Sequence, residues 1–210
     1  MKKILFLAAL VCAMIGVTSC NSCKKGEEKP ANVDTVLVVE DLVKADRDAM
    51  AKDYKDDYRW YETCIVLQDF YDEEGAAEPT VTGVSNIFQF VVERDKDCYD
   101  TQVVLYAHVK DTCAVEVKQG FWVGDKPLND EQIKLTFKDA YDKMMATNLP
   151  KPHSRQCVLR KELGPKDCNP QYIFGNVKAQ IYVDAVTGNV TDKNPAYEGV
   201  NLGTPLGEWP

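Results

Sequence analysis

An α+β fold, made of two units that each lay one helix on an antiparallel meander, is what this 210-residue sequence predicts. Three observations carry the prediction. Apolar residues recur at helical spacing twice, near residues 36–55 and again near 135–148. Runs rich in aromatic and β-branched residues follow each of these stretches, and short polar breaks separate the runs, as between antiparallel neighbours.

The chain opens on an address label. Lys2 and Lys3 form a basic start, and Ile4 to Val17 is apolar but shorter than the ~20 residues a spanning helix needs. Val17-Thr-Ser-Cys20 has the small-residue pattern of a lipoprotein cleavage site. Residues 1–19 therefore read as a signal peptide and Cys20 as the lipidated first residue of the mature chain, which holds the protein at a membrane surface while the polypeptide stays in water. An unlipidated secretory signal cleaved near Ser19 is the alternative. The expected location is the cell envelope, at the outer membrane. Residues 20–35 are polar and read as a tether, in which Glu27 and Glu28 are either a sorting signal or plain spacer.

The full chain has 33 acidic and 25 basic residues; without Lys2 and Lys3 the balance is 33 to 23, a net charge of about −10. Nucleic acid and anionic membrane faces would repel such a surface, so neither is expected as a partner.

Residues 36–125 form the first expected unit. Val36, Val39, Val43, Met50 and Tyr54 recur at three-, four- and seven-residue steps, while Asp41, Lys44, Asp46, Arg47, Asp48, Lys52 and Asp53 fill the polar remainder, which predicts a helix over about 36–55. Asp53, Asp56 and Asp57 lack the glycine and the twelfth-position glutamate of a calcium loop and read as a solvated helix end. Four strands follow, at about 58–70, 87–94, 101–110 and 113–123. The break at Lys110 to Thr112 is short enough for a hairpin. Trp60 and Tyr61 in one strand and Trp122 in another are candidate ligand-facing aromatics, with packing in the sheet core as the competing reading.

After a junction around Gly124 to Asp130, the second unit covers 126–192. Thr136 and Asp139 form a capping-box pattern, and Phe137, Ala140, Tyr141, Met144 and Met145 mark one buried stripe; Asn148 stops the helix with Pro150 beyond it. Pro170-Gln-Tyr-Ile-Phe-Gly175 reads as a core strand. Ile181, Val183 and Ala185 alternate against Tyr182 and Asp184 before a tight turn at Thr187-Gly188-Asn189. A capped helix followed by strands, the last ending in Tyr182-Val-Asp-Ala-Val-Thr-Gly188, resembles the PepSY and PepSY-like domains of exported bacterial proteins over about residues 133–192. The resemblance implies a non-enzymatic module that binds or restrains extracellular peptidases. From 193 to 210 periodicity is lost and an extended tail is expected, with Leu202, Leu206 and Trp209 able to dock it.

The catalytic inventory is thin. Two histidines, His108 and His153, accompany no nucleophile elbow, phosphate loop or paired metal motif, so neither catalytic nor metal residues nor a cofactor are assigned. His108 lies mid-strand and reads as packed or solvated. His153 and Cys157, about 13 Å apart on an extended chain, cannot meet. Besides Cys12 and Cys20, six cysteines remain: Cys23, Cys64, Cys98, Cys113, Cys157 and Cys168. Six allow 15 complete pairings, and Cys98 with Cys113, roughly 30 Å apart across a strand, is not one a disulfide permits. Cys64 reads as a buried mid-strand thiol. The function expected is a lipid-anchored binding module for an envelope protein or peptidase; the alternative is an accessory surface lipoprotein that holds glycan or another envelope protein on an aromatic sheet face.

Overall fold

Helical spacing at Val39, Val43, Asp46 and Met50, steps of four, three and four, buries one stripe of α1 (Val39–Tyr54) against a sheet. Glu40 and Asp41 in the first turn and Lys52 in the last suit the helix dipole. The computed structural model describes residues 37–200 apart from 56, 74–77, 96–97 and 124, and gives the backbone alone for the remainder of 92–100. Expectations about the signal segment, Cys20, Cys23, the tether, and Leu202, Leu206 and Trp209 fall outside the described residues, as does the side chain of Cys98.

Four strands follow α1: β1 (Tyr58–Leu67), β2 (Val81–Asp95), β3 (Cys98–Val109) and β4 (Thr112–Gln119). Then come the two-residue β5 (Asp125–Lys126), a 3-10 turn at Asp130–Gln132, α2 (Phe137–Met145), and β6 (Gln156–Glu162), β7 (Gln171–Asn176), β8 (Ala179–Asp184) and β9 (Val190–Thr191). The fold is α+β. Helix-then-strands occurs twice, as the sequence pattern predicts, but the halves do not separate between residues 125 and 126. One antiparallel sheet of order β4-β3-β2-β1-β6-β7-β8-β9 runs through both, with β5 on β6, and the described residues belong to one compact unit. β1 and β6, the first long strand of each half, pair over Glu62–Val66 and Gln156–Arg160. Joining there satisfies the backbone groups of two edges at once.

Register places side chains in rows. Ile181, Phe174, Cys157, Ile65, Val84, His108 and Cys113 are successive cross-strand partners, and so are Tyr172, Leu159, Thr63, Asn86, Tyr106 and Val115. Both rows lie on the face that the helices cover: α1 packs over β1 and β2, α2 over β7 and β8. β2 begins six residues before the expected start. At the β4 end the cover runs out, so Val115 and Val117 stay half exposed on an edge strand whose every residue is exposed. Glu116 and Lys118 on that strand put charges where an edge would otherwise invite pairing.

The capping box on α2 forms as read: Thr136 Oγ1 accepts from Asp139 N at 3.1 Å and Asp139 Oδ2 from Thr136 N at 3.1 Å. A second device comes from the other half, where Glu40 Oε1 accepts the Phe137 N–H at 2.6 Å and so occupies one orphan donor of α2. Phe137, Ala140, Tyr141 and Met144 are buried; Met145 only partly so. The helix ends three residues before Asn148.

The Asp184 turn is held by its own side chain: Oδ1 accepts from Val186 N at 2.8 Å and Thr187 N at 2.9 Å, and Gly188 takes φ 77° to close it. Gly175 in β7 is required outright, because at φ 118° a Cβ would sit 2.1 Å from Ala179 O. The expected loss of structure after residue 192 is corrected for 193–200. Ala196 is fully buried, its carbonyl accepts from Lys166 N at 3.1 Å, and Asn194 bonds Glu162. A tail segment lacking periodicity is thus anchored by tertiary hydrogen bonds that no local pattern announces.

Candidate functional site

Three polar features emerge from this scaffold. The first is a cleft of about 500 Å³ where α1, β1 and the 130–136 segment meet. Trp60, Leu159 and Tyr172 form its floor, drawn from both halves of the sheet, and Val43, Ile133 and Leu135 its walls. Its rim is charged and internally paired: Arg47 with Asp130, Lys44 with Asp48 at 2.9 Å, and Glu40 with the α2 amide. The Arg47 guanidinium also lies 5.8 Å from the Trp60 ring centre. An apolar floor of this size below a polar rim is the form of a recognition pocket.

The second feature is a polar chain across the helix-covered face. Trp60 Nε1 donates to Thr63 Oγ1 at 3.2 Å, Thr63 Oγ1 to Asn86 Oδ1 at 2.5 Å, and Asn86 Nδ2 to Asp46 Oδ2 at 2.7 Å. Asp46 then meets His108 Nε2 at 2.9–3.0 Å, and Cys113 Sγ lies 3.8 Å from that same nitrogen. Asp46, Thr63, Asn86 and His108 are all buried. Burial, then the Asp46 charge, pushes the Cys113 thiol up. Cys113 and His108 meet because the hairpin pairs them directly.

The third lies on the opposite sheet face. Arg160 is flanked by Glu162 at 2.5 Å, Asp125 at 3.6 Å and Glu62 at 3.9 Å, and Trp122 Nε1 donates to Asp125 Oδ2 at 2.9 Å. Burial and the neighbouring Asp125 charge push Glu62 up to about 7 against the pull of Arg160. Asp125 is raised as well, chiefly by burial. Its Oδ1 is buried without a hydrogen bond, facing Arg160 Nε in the same condition. Three carboxylates around one guanidinium here stitch β1, β5 and β6 together.

The candidate aromatics do not form one platform. Trp60 is 4 % exposed and floors the cleft; Tyr61 is the extra residue of a β-bulge between Trp60 and Glu62 and is half-buried. Trp122 belongs to the other face, where its backbone N–H also reaches Gln89 Oε1 at 2.7 Å. The bulge sets Tyr61 apart within β1, whereas Trp122 is not in a strand as expected but in the connection between β4 and β5. His153 and Cys157 are not brought together: His153 is exposed, bonded to Asp72 at 3.1 Å and stacked on Phe70, while Cys157 is fully buried, its thiol pushed well up by desolvation. Cys64 is mid-strand but only partly buried. Ten residue steps along β3 carry the backbone from Cys98 to His108, opposite Cys113, which keeps Cys98 and Cys113 about 33 Å apart.

Asp46, Asn86, Glu62, Asp125 and Arg160 were not singled out by sequence reasoning, and Cys113 was weighed only as a disulfide cysteine. For Asp46 a signal existed, because it stands at the seventh step of the Val39 stripe, where a charge must be buried. Among the described residues no helix is long and apolar enough to cross a membrane. Comparison of the chain with family models, curated proteins and solved structures finds no match.

Proposed function

We propose that the protein is a lipid-anchored, non-enzymatic binding module of the cell envelope whose partner inserts an apolar side chain into the cleft over Trp60, Leu159 and Tyr172. The observation that carries this is the cleft itself: about 500 Å³ in volume, with an apolar floor built jointly by both halves under a rim of alternating charge. Its carboxylates are already paired with Arg47, Lys44 and the α2 amide, which suits recognition better than proton transfer. The PepSY-like order of α2, β7 and β8 with the Asp184 turn favours an extracellular peptidase as that partner. A glycan platform would need its aromatics side by side, and Trp60 and Trp122 serve opposite faces of the sheet.

Ala51 lines the cleft from the exposed side of α1 and allows a test that spares the core. Ala51→Trp fills the opening; it is expected to leave the urea midpoint unchanged and to weaken partner capture at least tenfold, measured by in-cell photocrosslinking from position 44 followed by affinity on the captured protein. Undiminished capture by Ala51→Trp would remove the cleft from the proposal. Inhibition of an envelope peptidase by the purified chain supports the partner class, and inactivity across a broad peptidase panel removes it. Cys20→Ala is expected to release the protein from the membrane fraction; retention there would refute the anchor.

A further inference from the structure

The Trp60-to-Cys113 chain ends in three groups of unlike chemistry gathered at one point. Asp46 comes from α1, His108 from β3 and Cys113 from β4, and one donor atom from each lies within 4.8 Å of the others. His108 and Cys113 border an opening of about 280 Å³ lined also by Asp41, Leu42 and Thr112, with Asp46 buried behind them.

We propose that Asp46, His108 and Cys113 form a binding site for a borderline divalent transition metal of the Zn(II) class, distinct from the cleft over Trp60. The donor set is a carboxylate oxygen, an imidazole nitrogen and a thiolate sulfur, the three ligand types zinc prefers. Spacing agrees. Metal–ligand bonds of about 2.0 Å to N or O and 2.3 Å to S, set tetrahedrally, put nitrogen and sulfur about 3.5 Å apart and nitrogen and oxygen about 3.3 Å apart. The structure has sulfur to nitrogen at 3.8 Å and nitrogen to oxygen at 2.9–3.0 Å, so the ion enters after His108 and Asp46 part by a few tenths of an ångström. The His108 proton then resides on Nδ1, freeing the Nε2 lone pair.

The surrounding residues fit a metal site in a second way. Asp46 is held from behind by Asn86, Asn86 by Thr63 and Thr63 by Trp60, the kind of outer hydrogen-bond chain that orients a ligating carboxylate. Two of the three ligands sit opposite each other across a hairpin, so their separation is set by strand pairing rather than by loop motion. The fourth position faces the opening and takes water or a donor from a small molecule.

The test uses the purified full chain, stripped of metal and titrated with Co(II) alone, then with Zn(II) alone. One equivalent of Co(II) is expected to give a thiolate-to-cobalt charge-transfer band that Zn(II) abolishes, and Zn(II) is expected to raise the thermal midpoint. Cys113→Ser, at an exposed position that the fold does not need, should remove the band, cancel the Zn(II)-induced stabilisation and weaken metal affinity about 100-fold. No band at saturating Co(II), or a band that persists in Cys113→Ser and so belongs to another thiol, overturns the proposal.

Discussion

Phe174→Ala is expected to lower the unfolding free energy by about 3–5 kcal/mol. Phe174 is fully buried in β7, opposite Cys157 and Ile181, and its ring centre lies 5.7 Å from Tyr71, 6.2 Å from Phe137 and 6.3 Å from Tyr141. Tyr71 belongs to the β1–β2 connection of the first half, while Phe137 and Tyr141 belong to α2. One ring thus bridges both halves, and its removal opens a cavity bordered by three aromatics that cannot collapse together without moving a helix. A domain has only about 5–15 kcal/mol in hand, so the variant should melt far earlier. Urea denaturation followed by far-ultraviolet circular dichroism and by tryptophan fluorescence should show one coincident transition at lower midpoint, because β1–β6 pairing couples the halves. Two separated transitions, or a loss below about 1 kcal/mol, would contradict the packing described.

Stability should also rise on mild acidification, beyond what relief of the chain's net negative charge alone would give. Glu62 has its folded pKa raised from 4.5 to about 7, by burial first and by Asp125 second. A carboxyl raised in this way binds its proton more tightly folded than unfolded. Its contribution is complete below about 4.5 and is lost as pH climbs through about 7. Across that window the loss amounts to about 3 kcal/mol for such a shift, and Asp125, raised chiefly by the same burial, acts with the same sign. At the acid end Asp139, lowered by its bonds to Thr136, and Asp167, lowered by Lys126 and Lys161, act oppositely, since their contribution is lost as pH falls through their folded values. The stability maximum is therefore expected near pH 5. Glu62→Gln keeps the shape and one donor, and should flatten the slope between pH 5 and 8. A slope unchanged in that variant would show that another group carries it.

Several elements were legible in the residues alone. The α2 cap was readable because Thr136 and Asp139 are three apart and satisfy each other without help from elsewhere. The Asp184 turn was readable for the same reason, its carboxylate bonding the next two amides but one. The hairpin at Lys110 and Asp111 was legible too, and its consequence follows from arithmetic: a two-residue loop pairs Val109 with Thr112 and so His108 with Cys113. Asp46 was assigned to the solvated face of α1, although its position in the Val39 stripe puts it inside.

Other features had no local trace. Glu40 capping α2 spans 97 residues, and the Asn194 bond to Glu162 spans 32. Arg160 and Glu62 become neighbours only because β6 lies beside β1. Likewise Trp60 and Trp122, alike as sequence, end on opposite faces, because Trp60 sits in β1 under α1 while Trp122 lies in the β4–β5 connection, tied to Gln89 and Asp125.

The order of helices and strands, their caps and turns, and which residues are apolar enough to be buried were determined by the chain's own short-range pattern, because hydrophobic period and side-chain-to-backbone bonding act within a few residues. Which strand adjoins which, that both halves share one sheet, and that Asp46, His108 and Cys113 converge were decided only in three dimensions. Backbone ladders offer the same hydrogen bonds to any strand, so the choice among partners rests on how the two helices and the buried charges fit over the finished sheet.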